Sequence, residues 1–145
     1  MTTTSQDLLQ ATRAARAEVE AAIGECDAQW EVKPPSGDGE DAWCPREVAQ
    51  HVIGADWFFT NMIAQACGAP ALERPQIDGS TPQAAAESLA RIGGSDDKVL
   101  QHVTEGDLTK TYESERFGVR TVEQMLQTMI GHAHDHAAQL RAANA

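Results

Sequence analysis

Apolar residues recur every three to four positions in four long segments of the chain, and this helical period constrains the fold more than any other feature. None of the segments shows a sustained alternation of apolar and polar residues, which would indicate a long strand. Each predicted helix therefore carries one apolar stripe that must be buried. Since four such stripes bury one another in a bundle, we predict an all-α four-helix bundle that forms one domain over residues 1–145.

The first two helices have recognisable limits. The first stripe runs from about Ser5 to Glu25. The second helix opens at Pro45, a residue that suits the first helical position, and Glu47 places an acid in the first turn. We expect this helix to stop near Gly68.

The third and fourth helices begin after hydroxyl residues that can cap them. Thr81 precedes Pro82, and the apolar stripe that follows continues to Val103. The pair Gly93–Gly94 lies inside this helix, and glycine costs about 1 kcal/mol relative to alanine there, so we expect a kink or a break. Thr121 begins the fourth helix with a pattern close to a capping box.

The connections between these helices are longer than is usual in bundles. The first, Asp27–Trp43, contains an obvious turn region, and the second, Gly68–Ser80, is long enough to cross over the bundle. The third includes Thr109–Glu113 and ends near Gly118, where we expect a short extended ribbon. Long connections often form the wall of a pocket, which is a functional hint.

The charge balance excludes several classes of partner. The chain has 11 basic and 22 acidic side chains, a formal net charge of -11. Because affinity for nucleic acid comes largely from cationic side chains that displace counterions, we expect no nucleic-acid partner. An acidic chain is equally unsuited to anionic membrane surfaces.

The cysteines and the shortness of the apolar runs indicate where the protein is located. Three cysteines, Cys26, Cys44 and Cys67, are widely spaced and form no CxxC pair, as expected of thiols in a reducing compartment. No apolar run reaches the length of about 20 residues that crosses a bilayer. With no export signal visible, we predict a cytoplasmic protein without a membrane partner.

Three histidines carry the strongest chemical signal. His132 and His136 are four residues apart, so they share one helix face, and they continue the apolar stripe of the fourth helix. His51 lies on the stripe of the second helix. Buried imidazoles need partners, and a divalent transition metal would satisfy all three, but core histidines bonded to side chains or water remain an equal alternative. His134 is out of phase and His102 suits a helix end, so neither is a candidate.

Two motifs resemble those of DinB-like proteins, a superfamily that includes enzymes of the mycothiol-dependent maleylpyruvate isomerase type. The run Trp43–Ala55 (WCPREVAQHVIGA) is similar to the family's W-S-x-R-E-V-x-x-H-x-x-x-A, with Cys44 where serine or threonine is common. The run His132–Leu140 (HAHDHAAQL) is similar to its closing H-x-x-x-H-x-x-Q-I/L. The resemblance covers almost the whole chain in order and spacing.

The resemblance implies a four-helix bundle with a long crossover between the second and third helices, and a metal held by His51, His132 and His136. It implies a divalent transition metal, with zinc expected first and nickel or iron as alternatives, and a low-molecular-weight thiol such as mycothiol. The implied function is a metal-dependent transferase or isomerase, less readily a hydrolase, acting on a small electrophilic substrate. The alternative is a non-catalytic metal- or ligand-binding bundle in stress response. Relatives commonly pair, so a homodimer is also expected.

Residues beside the three histidines leave further interpretations open. Asp135 and Gln139 could orient the ligands, although Asp135 suits a solvent-facing position equally well. Glu47 could orient His51, but an ordinary first-turn acid explains it better. Cys44, at a helix N-terminus, is too far along the helix to bind the same ion, and a reactive role for it is the weaker interpretation. The aromatic residues around the second helix fit a core better than a ligand cage, yet could line a pocket. They are Trp30, Trp43, Trp57, Phe58 and Phe59.

Overall fold

In the computed structural model, four long helices make up most of the protein. The structure describes residues 3–144, so the limits of the predicted domain at residues 1, 2 and 145 lie outside the described residues. The helices are α1 (Ser5–Gly24), α2 (Pro45–Ala66), α3 (Pro82–Leu100) and α4 (Val122–Ala143). Short 3-10 helices span Gly39–Ala42 and Glu105–Thr109, and two strands, β1 (Thr111–Ser114) and β2 (Gly118–Thr121), precede α4. The predicted all-α four-helix bundle is confirmed.

The helix starts follow from the caps that the sequence supplies. Thr4 accepts a hydrogen bond from the backbone N–H of Asp7, and the Asp7 carboxylate accepts one from the backbone N–H of Thr4. Thr81 caps α3, and Thr121 caps α4 together with Gln124. These bonds satisfy N–H groups that have no partner inside the helix, so they fix where each helix begins.

The order of packing explains the crossover. Each of α1 and α2 packs against both α3 and α4. The first halves of α2 and α3 share one apolar cluster, and their second halves share another, so these two neighbours run in the same direction. Parallel neighbours need a connection that returns along the bundle, and residues 67–81 provide it. The predicted crossover between the second and third helices is confirmed.

The crossover is attached to the bundle by hydrogen bonds at several points. The backbone N–H of Leu72 donates to Asn61 Oδ1 at 2.7 Å, and Arg91 Nη2 donates to the carbonyl oxygen of Gln76 at 2.7 Å. Near its end, Trp30 Nε1 donates to the carbonyl oxygen of Gly79 at 3.0 Å. These bonds hold the crossover against the outer surface of α2 and α3.

Of the kink or break expected in α3, the break does not occur, because the helix runs unbroken from Pro82 to Leu100. Gly93 instead provides room for a charged side chain from α1: a Cβ atom at this position would overlap the side chain of Arg16. At Gly94, a Cβ atom would meet no other atom within 4 Å. The first glycine of the pair is therefore needed for packing between helices, whereas the second is not.

The short extended ribbon expected before the fourth helix is confirmed as an antiparallel hairpin. Thr111 pairs with Thr121, and Ser114 pairs with Gly118. Gly118 adopts a φ of 67°, which suits glycine at the end of a tight connection. Across residues 3–144, no helix is long and apolar enough to pass through a membrane.

Candidate metal centre and adjoining cavity

The three predicted ligand histidines meet at one point between α2 and α4. His132 Nε2 lies 2.9 Å from His51 Nε2 and 3.1 Å from His136 Nε2. One ring nitrogen from each histidine lies within 4.8 Å of the other two, an arrangement that could hold a metal ion. The i, i+4 spacing places two rings on one face of α4, and the packing of α2 against α4 brings the third beside them.

A chain of hydrogen bonds determines which nitrogen of His136 faces this point. Gln139 Nε2 donates to the carbonyl oxygen of Glu40 at 2.7 Å, so the amide oxygen of Gln139 points the other way. That oxygen lies 2.9 Å from His136 Nδ1. Because an amide oxygen only accepts, Nδ1 carries the hydrogen, and Nε2 of the neutral ring presents its lone pair to the other two histidines.

The arrangement fits a metal ion better than hydrogen bonding among the rings alone. A single ring nitrogen of His132 faces two others, and a neutral nitrogen has either one hydrogen or one lone pair to offer. Nitrogen ligands of tetrahedral zinc lie about 2.0–2.1 Å from the ion and hence roughly 3.4 Å from one another, close to the observed separations. A cation at this point would satisfy three lone pairs together.

The surroundings keep two of the rings neutral. Burial, followed by the neighbouring charges of His136 and His51, lowers the pKa of His132 to about 4. The pKa of His51 is also lowered, mainly by burial and then by the charge of His136. Nearby Glu40 opposes both shifts, whereas Arg116 reinforces them. Neutral imidazole is the form that binds metal, so the environment favours the ligand state at neutral pH.

Glu40 is a site residue that the sequence pattern does not reveal. It lies in the 3-10 helix of the first long connection, and its Oε1 is 3.6 Å from His51 Nε2. Its carbonyl oxygen also anchors Gln139, as described above. A carboxylate on an irregular connection has no periodicity that would assign it to a site, so only the fold places it beside the histidines.

A cavity of about 750 Å³ adjoins the histidine group, and His51 and His132 form part of its wall. The first two connections and the hairpin contribute to it, as expected of long connections at one end of a bundle. The wall includes four aromatic side chains, Trp57, Phe58, Phe59 and Phe117, and two arginines, Arg74 and Arg116. A cavity of this size and composition can enclose a small organic molecule.

Of the aromatic residues named from the sequence, some belong to the core and others line the cavity. Trp30 is buried in the core and hydrogen-bonded to Gly79. Trp43 packs edge-on against His51, with ring centroids 5.0 Å apart, and holds that ring in place. Trp57, Phe58 and Phe59 line the cavity, so the interpretation as a pocket wall applies to them.

The other candidates occupy the positions that the simpler interpretations predict. His134 and Asp135 are exposed, and His134 contacts Glu18 instead of the three histidines. His102 is exposed beyond the end of α3. Glu47 accepts hydrogen bonds from the backbone N–H of Cys44 and from Lys33, which is the role of a first-turn acid.

The cysteines are buried or half-buried thiols. Cys44 is only 6% exposed and lies at the start of α2, and Cys26 is buried in the core. Burial raises the pKa of the Cys26 and Cys67 thiols, which disfavours their reactive thiolate form. All three are free within residues 3–144.

A buried ionic cluster in the middle of the bundle was not anticipated. Arg16 Nε lies 2.8 Å from Asp56 Oδ2, and its Nη1 lies 2.8 Å from Asp97 Oδ1. Asp96, only 3% exposed, has its pKa raised to about 9 by burial and by the neighbouring Asp56 carboxylate. Of these charged residues, Arg16, Asp56 and Asp96 lie on the buried stripes of their helices. A charged residue in phase with an apolar stripe is therefore the sequence feature that could have indicated this cluster.

Comparisons with known proteins agree with this geometry. The family model described as the DinB superfamily matches residues 6–140. The crystal structure of a DinB-like protein from Bacillus cereus is similar with a TM-score of 0.71, covering 99% of this chain and 92% of that chain at 18% sequence identity. At this identity, the likeness supports the fold alone. Among curated proteins, none matches the chain.

Proposed function

The chain belongs to the DinB superfamily, and from this premise we propose that it is a metal-dependent enzyme that transfers a low-molecular-weight thiol to a small electrophile or uses the thiol to isomerise it. The observation that carries the proposal is the position of the histidine group, two members of which, His51 and His132, form part of the wall of a cavity of about 750 Å³. An ion held by three neutral histidines keeps its full positive charge and has coordination positions to spare, as catalytic metal sites do.

The residues of the site would have separate roles. His51, His132 and His136 hold the ion, and Gln139 keeps the lone pair of His136 turned towards it. A divalent ion, with zinc expected first and nickel or iron as alternatives, would lower the pKa of a bound thiol so that it reacts as thiolate. The aromatic side chains of the cavity would pack against the electrophile.

The proposed transfer balances without a redox partner. The thiolate sulfur forms a bond to the electrophilic carbon, the leaving group departs with its bonding electron pair, and the thiol proton passes to solvent. In the isomerisation, the sulfur adds to one carbon of a carbon–carbon double bond. Rotation about the resulting single bond follows, and elimination of the same thiolate restores the double bond. Mycothiol is the thiol we expect, because the stretch His51–Gly54 resembles that of mycothiol-dependent members, although the end of the chain resembles DinB-like proteins in general.

Conjugation of thiols to a chromophoric electrophile tests this proposal. Zinc-loaded protein is mixed with 1-chloro-2,4-dinitrobenzene and either mycothiol or N-acetylcysteine, and formation of the thioether is followed by absorbance. We expect a rate above that of the thiol alone, which falls to that background in metal-free protein and in His132→Ala. His134→Ala, an exposed histidine on the same helix, is the matched control and should keep the parent rate.

Two results would contradict the proposal. One is a rate that stays high without metal, which would exclude a metal-dependent reaction. The other is stoichiometric zinc without acceleration for either thiol, which would favour the alternative, a non-catalytic metal-binding bundle. The homodimer and the cytoplasmic location stay predictions.

A further inference from the structure

Two arginines beside the histidine group stand out from the other basic residues of this acidic chain. Most basic side chains form ion pairs with carboxylates. Within residues 3–144, five have no carboxylate within 4.0 Å: Arg74, Arg91, Arg116, Arg120 and Lys98. Arg91 and Arg120 each donate instead to a backbone carbonyl oxygen, at 2.7 Å and 3.3 Å. Arg74 and Arg116 both line the cavity that adjoins the histidines.

The two guanidinium groups reach this cavity from separate parts of the chain. Arg74 comes from the crossover, which hydrogen bonds attach to the bundle on either side of it. Arg116 lies in the turn between β1 and β2, and its Cζ stands 5.2 Å from the ring centroid of Phe117, a stacked position. Phe117 packs in turn against Phe58 and Phe59. Both cations are therefore presented by segments that the rest of the fold positions.

The charge of the cavity is opposite to that of the protein. The formal net charge of the chain is -11, yet Glu40 is the one carboxylate among the described residues that line the cavity, against two arginines. A divalent ion on the histidines would add two more positive charges. A cavity with an excess of one sign of charge and apolar side chains in its wall concentrates ligands of the opposite sign. Guanidinium groups also match carboxylate geometry closely, since they offer paired N–H donors.

We propose that the cavity selects a small organic anion, with its carboxylate held by Arg74 and Arg116 and its apolar part packed among Trp57, Phe58 and Phe59. This inference names the substrate class for the function proposed above and rests on that function only for the reaction itself. Binding of the anion depends on the arginines and the aromatic wall, so it is measurable without turnover.

Calorimetric titration of the zinc-loaded protein with phenylacetate and with phenylacetamide tests the proposal. The two probes share one shape, and only phenylacetate is charged. We expect phenylacetate to bind at least about tenfold more tightly, because a hydrogen bond to a charged group contributes that much. Arg74→Gln and Arg116→Gln should each weaken phenylacetate binding about tenfold and leave phenylacetamide binding unchanged. Lys98→Gln removes the same charge from an exposed site outside the cavity and should change neither affinity.

Zinc content and far-UV circular dichroism of each variant are compared with the parent, so that a folding defect is recognised. Equal binding of the two probes would overturn the inference. So would phenylacetate binding that both arginine substitutions leave intact, since the metal alone would then hold the carboxylate. If phenylacetate binds as expected but no thiol is conjugated, the proposed function fails alone. If thiols are conjugated but carboxylates have no advantage, this inference fails alone.

Discussion

The side-chain oxygen of Gln139 lies 2.9 Å from Nδ1 of His136, and this contact connects the first long connection to the histidine group. Since the Gln139 amide is oriented by the carbonyl oxygen of Glu40, the lone pair of His136 Nε2 is directed before any ligand arrives. The fold thus orients one of the three candidate ligands through a residue outside the histidine group.

Gln139→Leu should weaken zinc binding by about 10- to 100-fold, because residues that orient a metal-binding imidazole contribute on this scale. Competition with a chromophoric zinc chelator measures the affinity. Gln127→Leu, at an exposed position of the same helix where the amide bonds to Glu123, is the matched control and should bind zinc like the parent. Equal affinities for the two variants would show that Gln139 has no role in positioning His136.

Replacing each of the two adjacent glycines of α3 with alanine should have opposite effects on the free energy of unfolding. Gly94→Ala should raise the free energy of unfolding by about 0.5–1 kcal/mol, because the new methyl group meets nothing and alanine favours the helix. Gly93→Ala should lower it by about 1–3 kcal/mol, because the methyl group overlaps an Arg16 side chain that Asp56 and Asp97 hold in place. Urea denaturation measures both, and stabilisation by Gly93→Ala would contradict the observed packing.

The raised pKa of Asp96 should make the stability of the protein depend on pH. Its pKa is raised to about 9, whereas an aspartate in an unfolded chain titrates near 4, so between these values the folded protein binds the additional proton. The free energy of unfolding should therefore fall as pH rises from 7 to 9, by at most about 1.4 kcal/mol per pH unit from this group. Asp96→Asn should flatten that slope, and Asp38→Asn, at an exposed position, should not.

Two thiols titrate in the same direction near the upper end of this range, since burial raises the pKa of Cys26 and of Cys67. The informative quantity is therefore the difference in slope between the parent and Asp96→Asn, measured by urea denaturation at constant ionic strength. Identical slopes would mean that the Asp96 carboxyl is ionised in the folded protein.

The sequence was sufficient to predict the helices because each is defined by local chemistry. Thr81 and Thr121 mark helix starts through caps that the structure contains, and the apolar stripes face the core. The meeting of His51 with His132 and His136 was also predictable, since all three are in phase with a stripe.

What the sequence did not reveal depends on contacts between distant segments. Glu40, Arg74 and Arg116 lie on irregular connections, where no period indicates the direction of a side chain. Their approach to one cavity depends on how the first connection, the crossover and the hairpin fold against α2. The packing role of Gly93 likewise depends on Arg16, a residue of another helix.

Metal content of the purified, untagged protein tests the central claim most directly. Plasma mass spectrometry should find close to one divalent transition metal ion per chain in the parent and in His134→Ala, and little in His51→Ala, His132→Ala and His136→Ala. Such a result would establish the three histidines as ligands of one ion. A parent that is metal-free and also refuses added zinc and nickel at neutral pH would contradict the account, and the three histidines would then be residues of the core.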